Sequence, residues 1–273
     1  MQDLKVSVLY GFLVLMLFGS ISSVMSLKLV NNYATATSGA KMIVVPYFSP
    51  SGPWQIIYDS AKANPGAIKY VIINPCSGPC SNPGALSADW QRIVSNLNSL
   101  GITTLGYIYY SSESTSAIDY YMKNNPAGSN TGGIFFDKEG SQSADNSIGF
   151  ANYANYVHSL AGVVYINPGY NYKNVINYLT GSTTAGVPDA NVANIYESGA
   201  ARLFQISIPA EVSPDHLSAI VKNDRTCAGM ASDISTAIGK GIGNMYVTVN
   251  SYNALPNYFS NEAYYIQNGV SNC

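Results

Sequence analysis

Acidic residues are scarce in this chain, 15 among 273 positions, yet four of them close apolar runs of strand length. Asp137 and Glu139 follow the run 133–136 ("GIFF"), Glu197 ends "VANIYE" (192–197), and Asp224 stands just beyond "LSAIVK" (217–222). At the ends of the other runs, or inside them, sit amides and phenols: Tyr47, Asn74, Tyr107, Tyr109, Asn167, Asn250 and Tyr252. Two carboxyl groups that flank an acetal can break it. One protonates the leaving oxygen, and the other acts as nucleophile or activates water. Aromatic rings stack on sugar faces, while Asn and Tyr hydrogen-bond to hydroxyls. The pattern therefore points to glycoside hydrolysis, with Asp137 and Glu197 as the carboxyl pair, Glu139 in support and the amides and phenols as substrate contacts. Each residue also has a plainer role open to it. A lone carboxylate at a strand end caps the following turn, Asp224 reads as an ion pair with Arg225, and Glu139 as a solvated neighbour of Lys138. Tyr107 and Tyr109 share one face of their strand and Tyr110 takes the other, so at least one of the three packs rather than binds.

Other chemistries fit less well. Charged residues make up 10% of the chain, against roughly 25% in an average soluble domain. Tyrosine, with 22 copies, and neutral hydrogen-bonding residues supply the polarity instead. Such a surface suits neutral ligands, and without a basic patch it does not suit nucleic acid. There is no G-x-S-x-G elbow for a serine nucleophile. The two histidines, His158 and His216, have no cysteine at zinc-ligand spacing, so no metal is expected. "SPSGPW" after the first apolar run is a poor phosphate cradle, and no cofactor is expected.

These residues are useful only if the fold brings run ends together. Short apolar runs alternate with longer amphipathic segments along the chain. The strand candidates are residues 42–48, 70–74, 103–109, 133–137, 163–167, 192–197, 217–222 and 244–249. The helix candidates are 54–63, 87–100, 116–124, 147–160, 172–179, 228–238 and 260–267, with Pro53 as a first helical residue and 200–212 irregular. Continuous apolar runs are the mark of parallel strands buried on both faces. Eight such units predict a single (β/α)8 barrel over 41–273, whose function sits at the C-terminal strand ends. An open doubly wound sheet is the alternative.

Residues 1–26 hold a charged start, an uncharged apolar stretch and a serine-rich exit. This reads as a secretory signal cleaved near Ser26. The stretch is also long enough for an uncleaved membrane anchor, which would be the protein's only membrane contact. Residues 27–40 form a polar lead-in. Either reading exports the bulk of the chain, to the cell surface or beyond it. Four cysteines, Cys76, Cys80, Cys227 and Cys273, then imply disulfides with three possible pairings. Cys76 and Cys80 bracket a tight Ser-Gly-Pro turn, which leaves Cys227 for the terminal Cys273; free buried thiols are the other reading.

Several segments together resemble the spherulin-4-like family, related to secreted fungal hydrolases of galactosamine-containing polysaccharides. They are "VVPYFSPSGPWQIIYDSA" (44–61), "YVIINPCSGPC" (70–80), "LGITTLGYIYY" (100–110), "GGIFFDKEG" (132–140), "VVYINPG" (163–169), "NIYES" (194–198) and "YVTVNSYNALPNYF" (246–259). The resemblance implies a (β/α)8 barrel, glycosidase chemistry and active-site carboxylates at Asp137 and Glu197, with Asn74 and Asn167 lining the cleft. The family pattern has Glu directly after the strand-four Asp, where this chain has Lys138. In an extended strand Glu139 would share a face with Asp137 and take that role. The chain also places Cys76 and Cys80 where the pattern of the second loop has Asn and Gly, a paired change that favours a bridge between them. Two functional expectations follow: an exported hydrolase of a polysaccharide, amino-sugar polymers included, or a barrel that has lost catalysis and serves as a surface or carbohydrate-binding protein.

Overall fold

The computed structural model describes residues 39–81, 84–109, 113–138, 147–168, 175–180, 189–208, 212–222, 224–249 and 252–273. The N-terminal segment 1–26, all of the lead-in except Gly39 and Ala40, and the candidate residues Tyr110, Glu139 and Asn250 lie outside them.

Eight parallel strands close on themselves in sequence order. They are β1 (Lys41–Val44), β2 (Ile68–Ile73), β3 (Thr103–Tyr109), β4 (Gly133–Asp137), β5 (Val163–Asn167), β6 (Val192–Gly199), β7 (Leu217–Lys222) and β8 (Asn244–Val247). Around them lie α1 (Trp54–Ala63), α2 (Ala88–Ser99), α3 (Thr115–Met122), α4 (Ser147–Ser159), α5 (Val175–Thr180), α6 (Cys227–Gly239) and α7 (Phe259–Asn268). The segment after β6, expected to be irregular, forms a short 3-10 helix, Ala200–Gln205. The arrangement is the (β/α)8 barrel that the alternation of apolar runs predicts, and the open-sheet alternative falls away.

Boundaries differ where backbone chemistry intervenes. The apolar run at β1 continues to Phe48, but the strand stops at Val44; Pro46 has no N–H to give to a ladder. Pro53 is the N-cap of α1 rather than its first helical residue. Ser87, Ser114 and Thr226 each cap a helix by accepting a backbone N–H three residues on.

The barrel interior is filled by rings at matching heights on neighbouring strands. Tyr107 pairs in register with Phe135, and Phe135 with Tyr165. Their ring centroids lie 6.1 and 5.2 Å apart, and Tyr70 meets Tyr165 edge-on at 5.7 Å. Aromatic pairs at such spacings add roughly 0.5–1.5 kcal/mol beyond their buried area. This plug forms a floor beneath the strand ends.

Both disulfides form as Cys76–Cys80 and Cys227–Cys273. The second closes a 46-residue separation and pins the last residue to the start of α6. By chain-entropy arguments a loop of that size stabilises the fold by about 4 kcal/mol at most. Cys273→Ser is therefore expected to lower stability by about 2–4 kcal/mol in urea denaturation. An unchanged midpoint would show that the bridge constrains nothing.

Candidate active site

The C-terminal strand ends converge on one polar cluster. The β3–β4–β5 register sets Tyr109 beside Asp137 and Asp137 beside Asn167. β6 supplies Glu197 by a less regular route. Asn194 and Glu197 are three residues apart, which in a regular strand puts them on opposite faces. The register slips between Asn194 and Tyr196, and this bulge turns both side chains inward. Lys222 at the end of β7 and Tyr252 in the segment after β8 complete the ring.

One amide links the two carboxylates. Asn167 Nδ2 donates to Asp137 Oδ1 and to Glu197 Oε2, each at 2.9 Å. Those two oxygens therefore lie within about 5.8 Å of each other, twice the bond length. Tyr107 donates its hydroxyl to Asp137 Oδ2 at 2.6 Å, and Tyr252 donates to Glu197 Oε1 at 2.9 Å. Lys222 Nζ sits 2.6 Å from the same Oε1 and 5.0 Å over the Tyr252 ring. The orientation of Asn167 is set from below. Its Oδ1 accepts from Asn194 Nδ2 at 3.0 Å, Asn194 Oδ1 accepts from Ser218 Oγ at 3.1 Å, and Ser218 accepts from Tyr165. All four are buried, so reversing one amide would leave donors facing donors in a low-dielectric interior.

The two carboxyls are driven apart in acidity. Burial pushes Asp137 above the usual carboxylate range, and the neighbouring Glu197 charge adds to this. The Tyr107 hydroxyl, the Lys138 ammonium and the Asn167 amide pull the other way without reversing it. Burial pushes Glu197 upward too, but the hydrogen bonds from Lys222, Asn167 and Tyr252, with the Lys222 charge, outweigh it and hold Glu197 below the usual range. Burial and the adjacent carboxylates drive the Tyr107 and Tyr252 hydroxyls well above theirs, so both remain donors.

The other expected residues fall around this centre. Tyr47 is 38% exposed and meets Tyr107 edge-on at 6.3 Å; Tyr109, 36% exposed, lies on the rim. Asn74 is buried, and its Oδ1 accepts the Gly78 N–H at 2.8 Å, holding the loop that Cys76–Cys80 closes. A groove of about 340 Å³ beside that loop is lined by Ser77, Ser81, Ser114, Ser116 and Tyr120, among others, with no charged side chain.

One expectation loses its geometric premise and another changes. The strand ends at Asp137, and Lys138 takes a left-handed φ of 66° while its N–H bonds to the Asn167 carbonyl. The extended alternation that would carry Glu139 to the Asp137 face therefore stops one residue short; Glu139 itself lies outside the described residues. Asp224 makes no ion pair with Arg225. Its carboxylate accepts the Thr226 N–H at 2.9 Å and the Thr226 hydroxyl at 3.2 Å. Burial, reinforced by Asp224, pushes the nearby Asp233 carboxyl up to about 7. Among the described residues, no group of three His, Cys, Asp or Glu side chains is placed to hold a metal ion.

Lys222, Asn194, Ser218 and Tyr165 were not singled out by the sequence. Parity was the available signal. Ser218, Ile220 and Lys222 share one face of β7, and Tyr165 and Asn167 one face of β5. The bulge concealed the pairing of Asn194 with Glu197.

A closed parallel barrel with carboxylates linked at its C-terminal strand ends defines a (β/α)8 barrel whose candidate site sits where such barrels carry function. The chain belongs to spherulation-specific family 4 (Spherulin4), which matches residues 42–266. Among solved structures it is similar to Sph3 from Aspergillus clavatus, determined in complex with GalNAc. The TM-score is 0.69 at 21% identity, over 84% of this chain and 98% of that one. It is also similar to a GH18 chitinase from Pseudoalteromonas aurantia, with a TM-score of 0.56 at 10% identity over 85% and 100% of the two chains. At these identities the likeness shows the fold. No curated protein matches the sequence.

Proposed function

We propose that this protein is an exported glycoside hydrolase that cleaves a polysaccharide, with Asp137 as the acid and Glu197 as the nucleophile. The observation that carries the reading is the single amide nitrogen, Asn167 Nδ2, held by both carboxylates at 2.9 Å. Retaining glycosidases place their carboxyls about 5–5.5 Å apart, whereas inverting ones leave about 6.5–9.5 Å for a water. The limit on the two facing oxygens lies nearer the retaining range, and retention is the outcome proposed. In the first step Asp137 gives its proton to the glycosidic oxygen as the C1–O bond breaks, and a Glu197 oxygen bonds to C1. In the second, water attacks C1, its proton passes to Asp137, and the bond to Glu197 breaks to regenerate the carboxylate. Tyr47 and Tyr109 offer exposed ring surface for sugar stacking. The uncharged, hydroxyl-lined groove by the bridged loop suits further sugar units. Family membership and the fold shared with a GalNAc-bound barrel make galactosamine polymers the first substrates to test. Two disulfides belong to an oxidising compartment and support export.

The acidities give the reaction a pH signature. Activity requires Glu197 ionised and Asp137 protonated. Since Glu197 is lowered and Asp137 raised, kcat/KM plotted against pH is expected to be bell-shaped. Its acid limb belongs to Glu197 and its alkaline limb to Asp137. Loss of the alkaline limb in Asp137→Asn supports this order of roles; an unchanged alkaline limb in that variant contradicts it.

Lys138 favours a second reading, a barrel that binds sugar without turning it over. A cation stands where the family pattern has an acid, and its charge lowers the Asp137 carboxyl. Glycan-array binding with no release of reducing ends would support that reading; turnover would end it.

A further inference from the structure

We infer that Lys222 is a positioning residue whose ammonium keeps Glu197 the ionised member of the pair and draws its charge back when the covalent intermediate breaks down. The inference rests on the reading above, that Asp137 and Glu197 react. Strand parity puts Lys222 there. Ser218 bonds to Asn194 inside the barrel, so Lys222, four residues on, projects from the same face. The groups facing Glu197 come from four elements. β7 gives the Lys222 ammonium at 2.6 Å, and the segment after β8 gives the Tyr252 hydroxyl at 2.9 Å. β5 gives the Asn167 amide, also at 2.9 Å, and across it β4 brings Asp137, which carries Tyr107 and the Lys138 charge. Among these neighbours Lys222 is the one cation bonded directly to Glu197. It is itself held over the Tyr252 ring, a cation–π contact that restrains an otherwise flexible side chain.

The placement has a mechanistic consequence. When Glu197 bonds to C1 its negative charge disappears, and the Lys222 ammonium loses its partner in a half-buried site. When water attacks C1, the electron pair of the C1–O bond returns to the Glu197 oxygen, beside that same ammonium. Lys222 therefore favours breakdown of the ester as well as ionisation of the nucleophile.

The test compares wild type, Lys222→Met and Lys222→Arg by ¹³C NMR titration of carboxyl-labelled glutamate, with Glu197→Gln assigning the signal. The same proteins are followed for kcat/KM against pH. In Lys222→Met the Glu197 signal is expected to titrate at higher pH, and the acid limb of the profile to follow it. At the pH optimum kcat/KM is expected to fall roughly tenfold or more. Lys222→Arg, which retains the charge, is expected to hold the titration near that of wild type. If Glu197 titrates at the same pH in wild type and in Lys222→Met, the inference is overturned, whatever the activity. It is also overturned if Lys222→Arg and Lys222→Met shift the signal equally. Hydrolysis is a separate readout: a shifted titration in a protein that cleaves nothing supports the charge role of Lys222 and counts against the glycosidase reading.

Discussion

Asp137→Asn and Glu197→Gln are each expected to lower kcat by about a thousandfold, within the range found when a general acid or a nucleophile is removed. The two variants should differ in other respects. The Asn introduced at 137 keeps the shape of the carboxyl, and the Tyr107 hydroxyl can accept where it formerly donated, so the melting temperature should move by only a few degrees. Glu197→Gln leaves the Lys222 ammonium without its carboxylate, and both side chains are largely withdrawn from solvent. That variant should melt lower. The two losses should also fail to add in the double variant if both carboxyls act on one bond, as proposed. Full activity in either single variant would remove the pair from the chemistry.

The second large effect concerns the fold that holds the pair. Gly133→Ala is expected to lower stability by about 3 kcal/mol, or roughly 10 °C in melting temperature for a domain of this size. A Cβ at Gly133 would stand 2.2 Å from the Val163 carbonyl oxygen and 2.8 Å from its nitrogen. These are backbone atoms of β5, and no rotamer can relieve the clash. The strands that would separate are β4 and β5, which carry Asp137 and Asn167. The adjacent Gly132→Ala is the control. Its Cβ would meet mainly the Thr103 methyl at 2.9 Å, a side-chain atom that can give way. Its cost should be no more than about 1 kcal/mol. Equal melting of the two variants in calorimetry would contradict this packing argument.

The barrel was legible because its strands are apolar on both faces. "GIFFD" and "VVYIN" stand out without knowledge of their partners, "LSAIVK" is more weakly marked, and the structure returns them as β4, β5 and β7 with the same limits. Carboxylates and amides at the ends of such runs could be read as one rim, since parallel strands in a barrel all end on one face. Asp137, Asn167 and Glu197 do meet there. What sequence could not supply was local backbone geometry. The bulge in β6 reverses the parity of Glu197 relative to Asn194, and a period-two reading puts those residues on opposite faces. The left-handed φ of Lys138 ends the strand one residue before Glu139, and nothing in "DKEG" announces it. Asp224 looked like half of an ion pair because Arg225 is adjacent, whereas its carboxylate satisfies the start of α6 instead. Lys222 was visible as the polar end of an apolar run, but its significance depends on Glu197, which approaches from another strand.

The proposed carboxylate pair is expected to cleave glycosidic bonds. ¹H NMR of purified wild-type protein with N-acetylated and de-N-acetylated polymers of galactosamine and glucosamine decides this, because it reports both new reducing ends and their first anomeric form. Cleavage of at least one polymer is expected, with the anomeric configuration of the cleaved linkage retained in the initial product. No new reducing ends from any of the polymers would contradict it.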